Sequence, residues 1–230
     1  MIFAVMHALK SMRLILRASP GKNEADLQYI LDNVDIDSYY DYLAIEMFFG
    51  NSDIGNTMFY KLPGPGQKWK WLIFDLDYGM FSSSFNSPKS YTKAKGMGDK
   101  LINNTIFLKL LENNQMKQYF LERLAYIYRT LTPAVMNNKL SEIKAILEPA
   151  MPMHFERWAP LNDKKINSDS PLNKDGAIGY WNTRINRMRD TINRRHHFLW
   201  GFIKEAFNVS NAQMLELFGE QPEDPLAKKK

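Results

Sequence analysis

Two aromatic-rich runs joined at Pro63-Gly64-Pro65-Gly66 constrain this chain more than any other stretch of it. Thr57 to Leu62 and Lys68 to Phe74 carry the aromatic and β-branched residues that strands favour, and a Pro/Gly cluster between two such runs signals a hairpin. A hairpin returns the chain to its start. Asp53 with Asn56 before it, and Asp75 with Asp77 after it, are therefore predicted at neighbouring strand ends. Trp69-Lys70-Trp71-Leu72-Ile73-Phe74 reads as a largely buried strand, and carboxylates at the end of a buried strand are costly unless paired or metal-bound. Asp, Asn and Gly are also the usual residues of turns. On chemistry alone, a metal or phosphate site and a structural turn both stay open.

Around the hairpin the pattern is helical. A first amphipathic helix is predicted from Met1 to about Arg17, broken at Ser19-Pro20-Gly21. A second starts near Asn23 with Leu27, Ile30 and Leu31 on its apolar face. A third is capped by Asp37 or Ser38, ends at Gly50 and delivers the chain into the Asp53 loop. Its Glu46, flanked by apolar residues, reads as a paired structural acid. Ser82 to Asp99 reads as a surface loop. Three later stripes read as core: Met116-Phe120-Leu124-Ile127-Leu131, Leu140-Ile143-Leu147, and Trp181-Ile185-Met188-Ile192-Leu199. A polar loop is expected over Asn162 to Gly179, and a frayed tail from Pro222 to Lys230. The fold class is α+β, predominantly helical.

At 230 residues, with 45% hydrophobic and 13% aromatic residues, the chain is long enough to bury a sizeable core as one domain. The net charge of +5 comes without a dense Lys/Arg block, and no nucleic-acid partner is expected. Arg184, Arg187, Arg189, Arg194 and Arg195 share a helix and read as a solvated or substrate-facing surface. The absence of cysteine excludes disulfides, thiol catalysis and thiolate metal sites. The four histidines form no ligand set, since His196 and His197 are adjacent and His7 and His154 stand apart. Met1 to Leu16 lacks the pattern of a signal peptide, and no apolar run is long enough to span a membrane.

The residues resemble the CotH kinase family, the spore coat protein H-like proteins. The resemblance is carried by Val34-Asp35-Ile36-Asp37-Ser38-Tyr39-Tyr40 with Leu43-Ala44, by Asn51-Ser52-Asp53, by Asn56 with Phe59-Tyr60, and most specifically by Trp69 through Gly79. Phe107 to Leu111, Phe120 to Arg123, His154 to Trp158 and Trp181 extend it more loosely, so that it covers about residues 30 to 205. It implies an atypical kinase that uses ATP with Mg²⁺ or Mn²⁺ to phosphorylate serine hydroxyls of proteins, in a bacterial spore coat or cell-envelope setting. By position, Asp53 resembles the catalytic Asp, Asn56 the following Asn, and Asp75 the metal-binding Asp. Asp77 is a further candidate metal ligand, and Asn56 and Trp71 are candidate cofactor contacts.

Two features depart from ordinary kinases. Asp53 and Asn56 are three positions apart rather than five, and the residues before Asp53 read as helices, with no Gly-rich loop or strand lysine for the triphosphate. The chain therefore reads as the large, C-terminal lobe of a protein-kinase-like fold over residues 1–221. Its parts are N-terminal helices to 36, an acidic core over 37–81, a loop over 82–104 and a helical subdomain over 105–221. Alone, such a lobe is expected to transfer phosphate poorly. The alternatives are a non-catalytic, pseudokinase-like scaffold and a small-molecule kinase of the aminoglycoside- or choline-kinase type.

Overall fold

The computed structural model describes residues 24–53, 56–93, 104–160 and 172–227. The expected first helix, at Met1 to Arg17, lies outside them. Helix α1 (Glu24–Asn33) runs into α2 (Ile36–Phe49), followed by strands β1 (Met58–Tyr60) and β2 (Lys70–Leu72). Then come α3 (Ser87–Tyr91), α4 (Thr105–Leu111), α5 (Asn114–Thr130), α6 (Pro133–Leu147), α7 (Met151–Arg157), α8 (Lys174–Phe207) and α9 (Asn211–Phe218). The fold is mostly helical with one small antiparallel sheet. Among the described residues no helix is long and apolar enough to cross a membrane.

The core lies where α2, α4, α5 and the C-terminal half of α8 meet. Tyr40 of α2 meets Phe120 of α5 edge-on at 5.2 Å, and Phe120 in turn meets Phe107 of α4 at 4.8 Å and Phe207 of α8 at 5.4 Å. Leu124, Leu199 and Ile203 close the same cluster without exposed surface. Each such side chain contributes about 1.5–3 kcal/mol by leaving water, and edge-on rings add a directional term. α2 starts at a real cap: the Asp35 side chain accepts from the Ser38 backbone N–H at 3.0 Å, two or three residues earlier than the expected caps Asp37 and Ser38.

The hairpin forms with strands shorter than the sequence runs. Met58 pairs with Leu72, Phe59 with Trp71 and Tyr60 with Lys70. An isolated two-stranded hairpin is marginal in water, and this one is fastened at the α1–α2 junction: Trp69 donates to the Asn33 carbonyl at 2.8 Å and Asp35 to the Trp69 carbonyl at 2.9 Å. Phe59 and Trp71 form the inner face, the Trp71 ring lying 4.5 Å from that of Tyr39. Met58, Tyr60 and Leu72 form the outer face and, with Ile73 and Phe74, are exposed. The second strand is thus half-exposed, not largely buried as its composition predicts, because a two-stranded sheet covers only the side turned to α2.

Other expectations shift. The 82–104 stretch holds the short helix α3, capped by Asn86, whose side chain accepts from Lys89 N–H. α8 starts at Lys174, inside the expected polar loop, because the Asn173 side chain caps Gly176 N–H. The Leu140-Ile143-Leu147 stripe is not core: α6 buries no residue and packs, with α7, along α8, which is about 50 Å long in all. The tail is held at least to Ala227, since Arg194 grips the Asp224 carboxylate with two hydrogen bonds of 2.8 and 2.7 Å.

Candidate functional site

The site is built where α2 ends. Gly50 takes a left-handed conformation (φ 62°, ψ 43°) and its N–H caps the last turn, after which Asn51 N–H returns to the Glu46 carbonyl at 3.1 Å. A side chain at Gly50 would also press on the Arg195 guanidinium, 3.1 Å from the position of a Cβ. Asn51 has no exposed surface. Its Oδ1 accepts from the Asp53 backbone N–H at 3.1 Å, and its Nδ2 donates to the Asp75 carbonyl at 3.3 Å. One amide therefore ties the loop before the hairpin to the loop after it.

Above that tie the acidic groups converge. Asn56 Nδ2 donates to Asp53 Oδ2 at 2.9 Å and to Asp75 Oδ2 at 2.8 Å, which places the two carboxylate oxygens within about 6 Å of each other. Asp75 stands at φ 56°, in the left-handed region that costs a non-glycine residue about 1 kcal/mol or more. The following turn is fixed by Gly79 N–H to the Leu76 carbonyl at 2.8 Å and Met80 N–H to the Phe49 carbonyl at 2.7 Å. Only glycine fits at position 79, where a Cβ would lie 2.9 Å from the Leu76 carbonyl oxygen.

The electrostatics are those of crowded acid. The Asp75 carboxyl is held above its ordinary range by a hydrogen bond shared with Asp77, with some desolvation and the charges of Asp77 and Asp53 adding, while Asn56 opposes the rise. Like-charged carboxylates in such contact favour a proton or a cation between them. Among the described residues, no group of three or more His, Asp or Glu is gathered as a metal nest. Beneath the pair lies Glu46, 1% exposed, whose carboxyl is pushed up to about 7 by burial, with the Asp53 charge adding and the Asn51 side chain and the Tyr91 hydrogen bond opposing. Tyr91 OH donates to Glu46 Oε2 at 3.3 Å, while Oε1 is buried with no hydrogen-bond partner. Glu46, expected as a paired acid, is buried, and its carboxylate accepts from Tyr91.

The geometry thus brings Asp53, Asn56 and Asp75 together, with Asp77 beside Asp75. It does not bring Trp71 to them: that ring is turned inward onto Tyr39 and Phe59, and its backbone N–H is bound to Ser38 Oγ at 3.2 Å. Sequence reasoning missed Arg195. It is not on a solvated surface but wholly buried. It donates to the carbonyls of Met47 (2.7 Å), Phe48 (2.8 Å), Ser83 (3.0 Å) and Phe85 (2.7 Å) and to Ser87 Oγ (2.8 Å). Burial pushes its pKa down to about 9, so it stays charged at neutral pH. It finds its counter-charge in the carbonyl end of α2, the negative pole of the helix dipole. The signal was in the period: 195 falls in the gap of the Ile192–Leu199 stripe.

The family described as CotH kinase protein matches residues 7–199, most of the chain and more of it than the motifs alone suggest. No curated protein and no solved structure matches the chain.

Proposed function

The chain belongs to the CotH kinase family, and we propose that its acidic site transfers the terminal phosphoryl group of ATP to serine hydroxyls of a protein. The observation that supports this most is the convergence of Asp53 and Asp75, from opposite ends of the hairpin, on the single amide of Asn56. The amide hydrogens carry the partial positive charge that both carboxylates seek, at the point where a divalent cation is best accommodated. The donors are hard oxygens, the kind Mg²⁺ or Mn²⁺ prefers, and Mg²⁺ is commonly held by one or two carboxylates with water and phosphate completing its shell. Asp75 with Asp77, and Asn56 once its carbonyl oxygen is turned inward, are the residues that fit the metal. When bound, the metal supplies charge neutralisation for the phosphates.

The remaining roles fall to the chain. Asp53, in the loop before the hairpin, faces Asp75 across the Asn56 amide, and it accepts the proton of the attacking hydroxyl. The exposed outer face of the hairpin, Met58 and Leu72, offers the apolar floor for the adenine ring in place of the inward-turned Trp71. The arrangement resembles the large lobe of a protein-kinase-like fold, in which a catalytic loop and a metal-binding loop flank a hairpin.

One observation favours a non-catalytic scaffold as second reading. Among the described residues no lysine or arginine forms an ion pair with Asp53, Asp75 or Asp77, whereas a triphosphate normally leans on a cation. Transfer of label from [γ-³²P]ATP to a serine-containing acceptor protein separates the two. We expect slow, Mg²⁺- or Mn²⁺-dependent transfer that Asp53→Ala abolishes. No transfer and no ATP binding, or transfer indifferent to Asp53→Ala, refutes the kinase reading.

A further inference from the structure

Asp53 and Asp75 belong to loops separated by the whole hairpin; Asp75 is exposed to water and Asp53 is half-buried. Nothing in the carboxylates themselves fixes their separation; like charges push them apart. Two amides oppose this. Asn56 is exposed and bonds the carboxylates directly through its NH2 group, so a bound cation breaks those two bonds and turns the amide over. Asn51 is different in kind: it is buried, it touches neither carboxylate, and it holds the backbone at each, through Asp53 N–H at 3.1 Å and the Asp75 carbonyl at 3.3 Å. Its own place is set on the other side by α2, whose Glu46 carbonyl accepts the Asn51 N–H and whose Glu46 side chain lies against the Asn51 amide. A left-handed Asp75 next to that tie shows the loop held in a conformation it would not choose alone.

We propose that Asn51 is a positioning residue for the acidic site: it sets the distance between Asp53 and Asp75 before any ligand arrives, with the buried Glu46 and Tyr91 as the post it leans on. The inference rests on the kinase reading for its consequence, though not for its geometry. Asparagine is the residue required, because the tie needs one acceptor for an N–H and one donor for a carbonyl from a single short side chain. Aspartate supplies only the first when ionised, and serine is too short to reach both. Groups that support a metal site from behind its ligands typically matter by about 10–100-fold in metal affinity. Asn51→Ala is therefore expected to weaken binding of Mn²⁺–ATP about tenfold or more, with far-UV circular dichroism unchanged.

Glu46 supplies the control. Glu46→Leu removes the post and should weaken binding in the same direction, while Glu46→Gln, which keeps an acceptor for Tyr91 and a polar neighbour for Asn51, should restore it. A general loss of packing would not be rescued in this way. The experiment is titration calorimetry of Mn²⁺–ATP into the full chain and its three variants, with backbone amide exchange followed by NMR or mass spectrometry. Expected with Asn51→Ala is faster exchange at Asp53, whose N–H has Asn51 Oδ1 as its partner, while amides of α5 and α8 keep their rates. Unchanged Mn²⁺–ATP affinity in Asn51→Ala, or an equal loss in Glu46→Gln and Glu46→Leu, overturns the inference. If the unaltered chain takes no Mn²⁺–ATP, the kinase reading falls instead, and amide exchange alone decides the inference: unchanged protection at Asp53 in Asn51→Ala overturns it, and selective loss there upholds it.

Discussion

Glu46→Gln should stabilise the protein in alkaline solution and leave it unchanged in acid. The Glu46 carboxyl is 1% exposed and is pushed from the ordinary 4.5 up to about 7, chiefly by burial. Below pH 4.5 the residue is protonated in folded and unfolded chains alike. Between pH 4.5 and about 7 the unfolded chain releases the proton and the folded chain keeps it, so stability falls as pH rises; above about 7 the loss is complete. Each unit of displacement corresponds to about 1.4 kcal/mol, which puts the ceiling near roughly 3 kcal/mol at pH 8. Glutamine has the shape of the neutral acid and never ionises, so it avoids that loss. For a chain of this size, the gain should raise the melting midpoint by roughly 5–10 °C at pH 8 and by almost nothing at pH 4. Thermal melts of both proteins across that range, compared pairwise so that all other titrations cancel, are the assay. A difference that does not change with pH refutes the reasoning, because it would mean that Glu46 carries no displaced proton.

The remaining predictions concern different links. Asp75→Asn should abolish stabilisation by Mg²⁺ or Mn²⁺ with ATP at little cost to the fold, while Asp53→Asn leaves most of it; a larger loss from Asp53→Asn in scanning fluorimetry would reverse the two roles. Arg195→Met removes five donors and leaves four carbonyls without them, and should destabilise by more than about 4 kcal/mol in urea unfolding; a loss near 1 kcal/mol would show that water replaces the guanidinium. Gly50→Ala combines a left-handed backbone with a close approach to that guanidinium and should cost at least about 1 kcal/mol. Asp41→Ala breaks the half-exposed pair with Arg123 and should cost no more than about 1 kcal/mol, screened further by salt.

The parts legible in the sequence were those with a local physical signature. The Pro/Gly cluster marks the hairpin because few other conformations accept it, and the Gly50 stop is real because a left-handed cap there excludes a side chain. The convergence of Asp53 with Asp75 follows from the return of the hairpin. The errors arose where partners lie far apart in the chain. Leu72, Ile73 and Phe74 look buried because apolar composition does not reveal that the sheet has two strands and one covered face. Arg195 looks solvated because charge outweighs period in a sequence, although its place between Ile192 and Leu199 puts it on the packed side of α8. Trp71, a candidate cofactor contact only by resemblance, is turned inward with Phe59 by the alternation along β2. Asn51 stood inside the recognised motif with no role, since its two bonds are to backbone atoms that no residue pattern shows.

Arg195 also bears on how the molecule comes into being. Its guanidinium binds carbonyls 147 and 148 positions earlier in the chain, and those carbonyls end the helix that aims the Asp53 loop. During synthesis the acidic loops therefore leave the ribosome long before the residue that fastens them. Contacts of such separation form late and slowly, and until α8 docks, the nascent segment presents an unfastened helix end and an apolar hairpin face to the solvent. Fragments that stop short of α8, however complete their acidic motif, should be held by chaperones or aggregate instead of displaying a smaller version of the site.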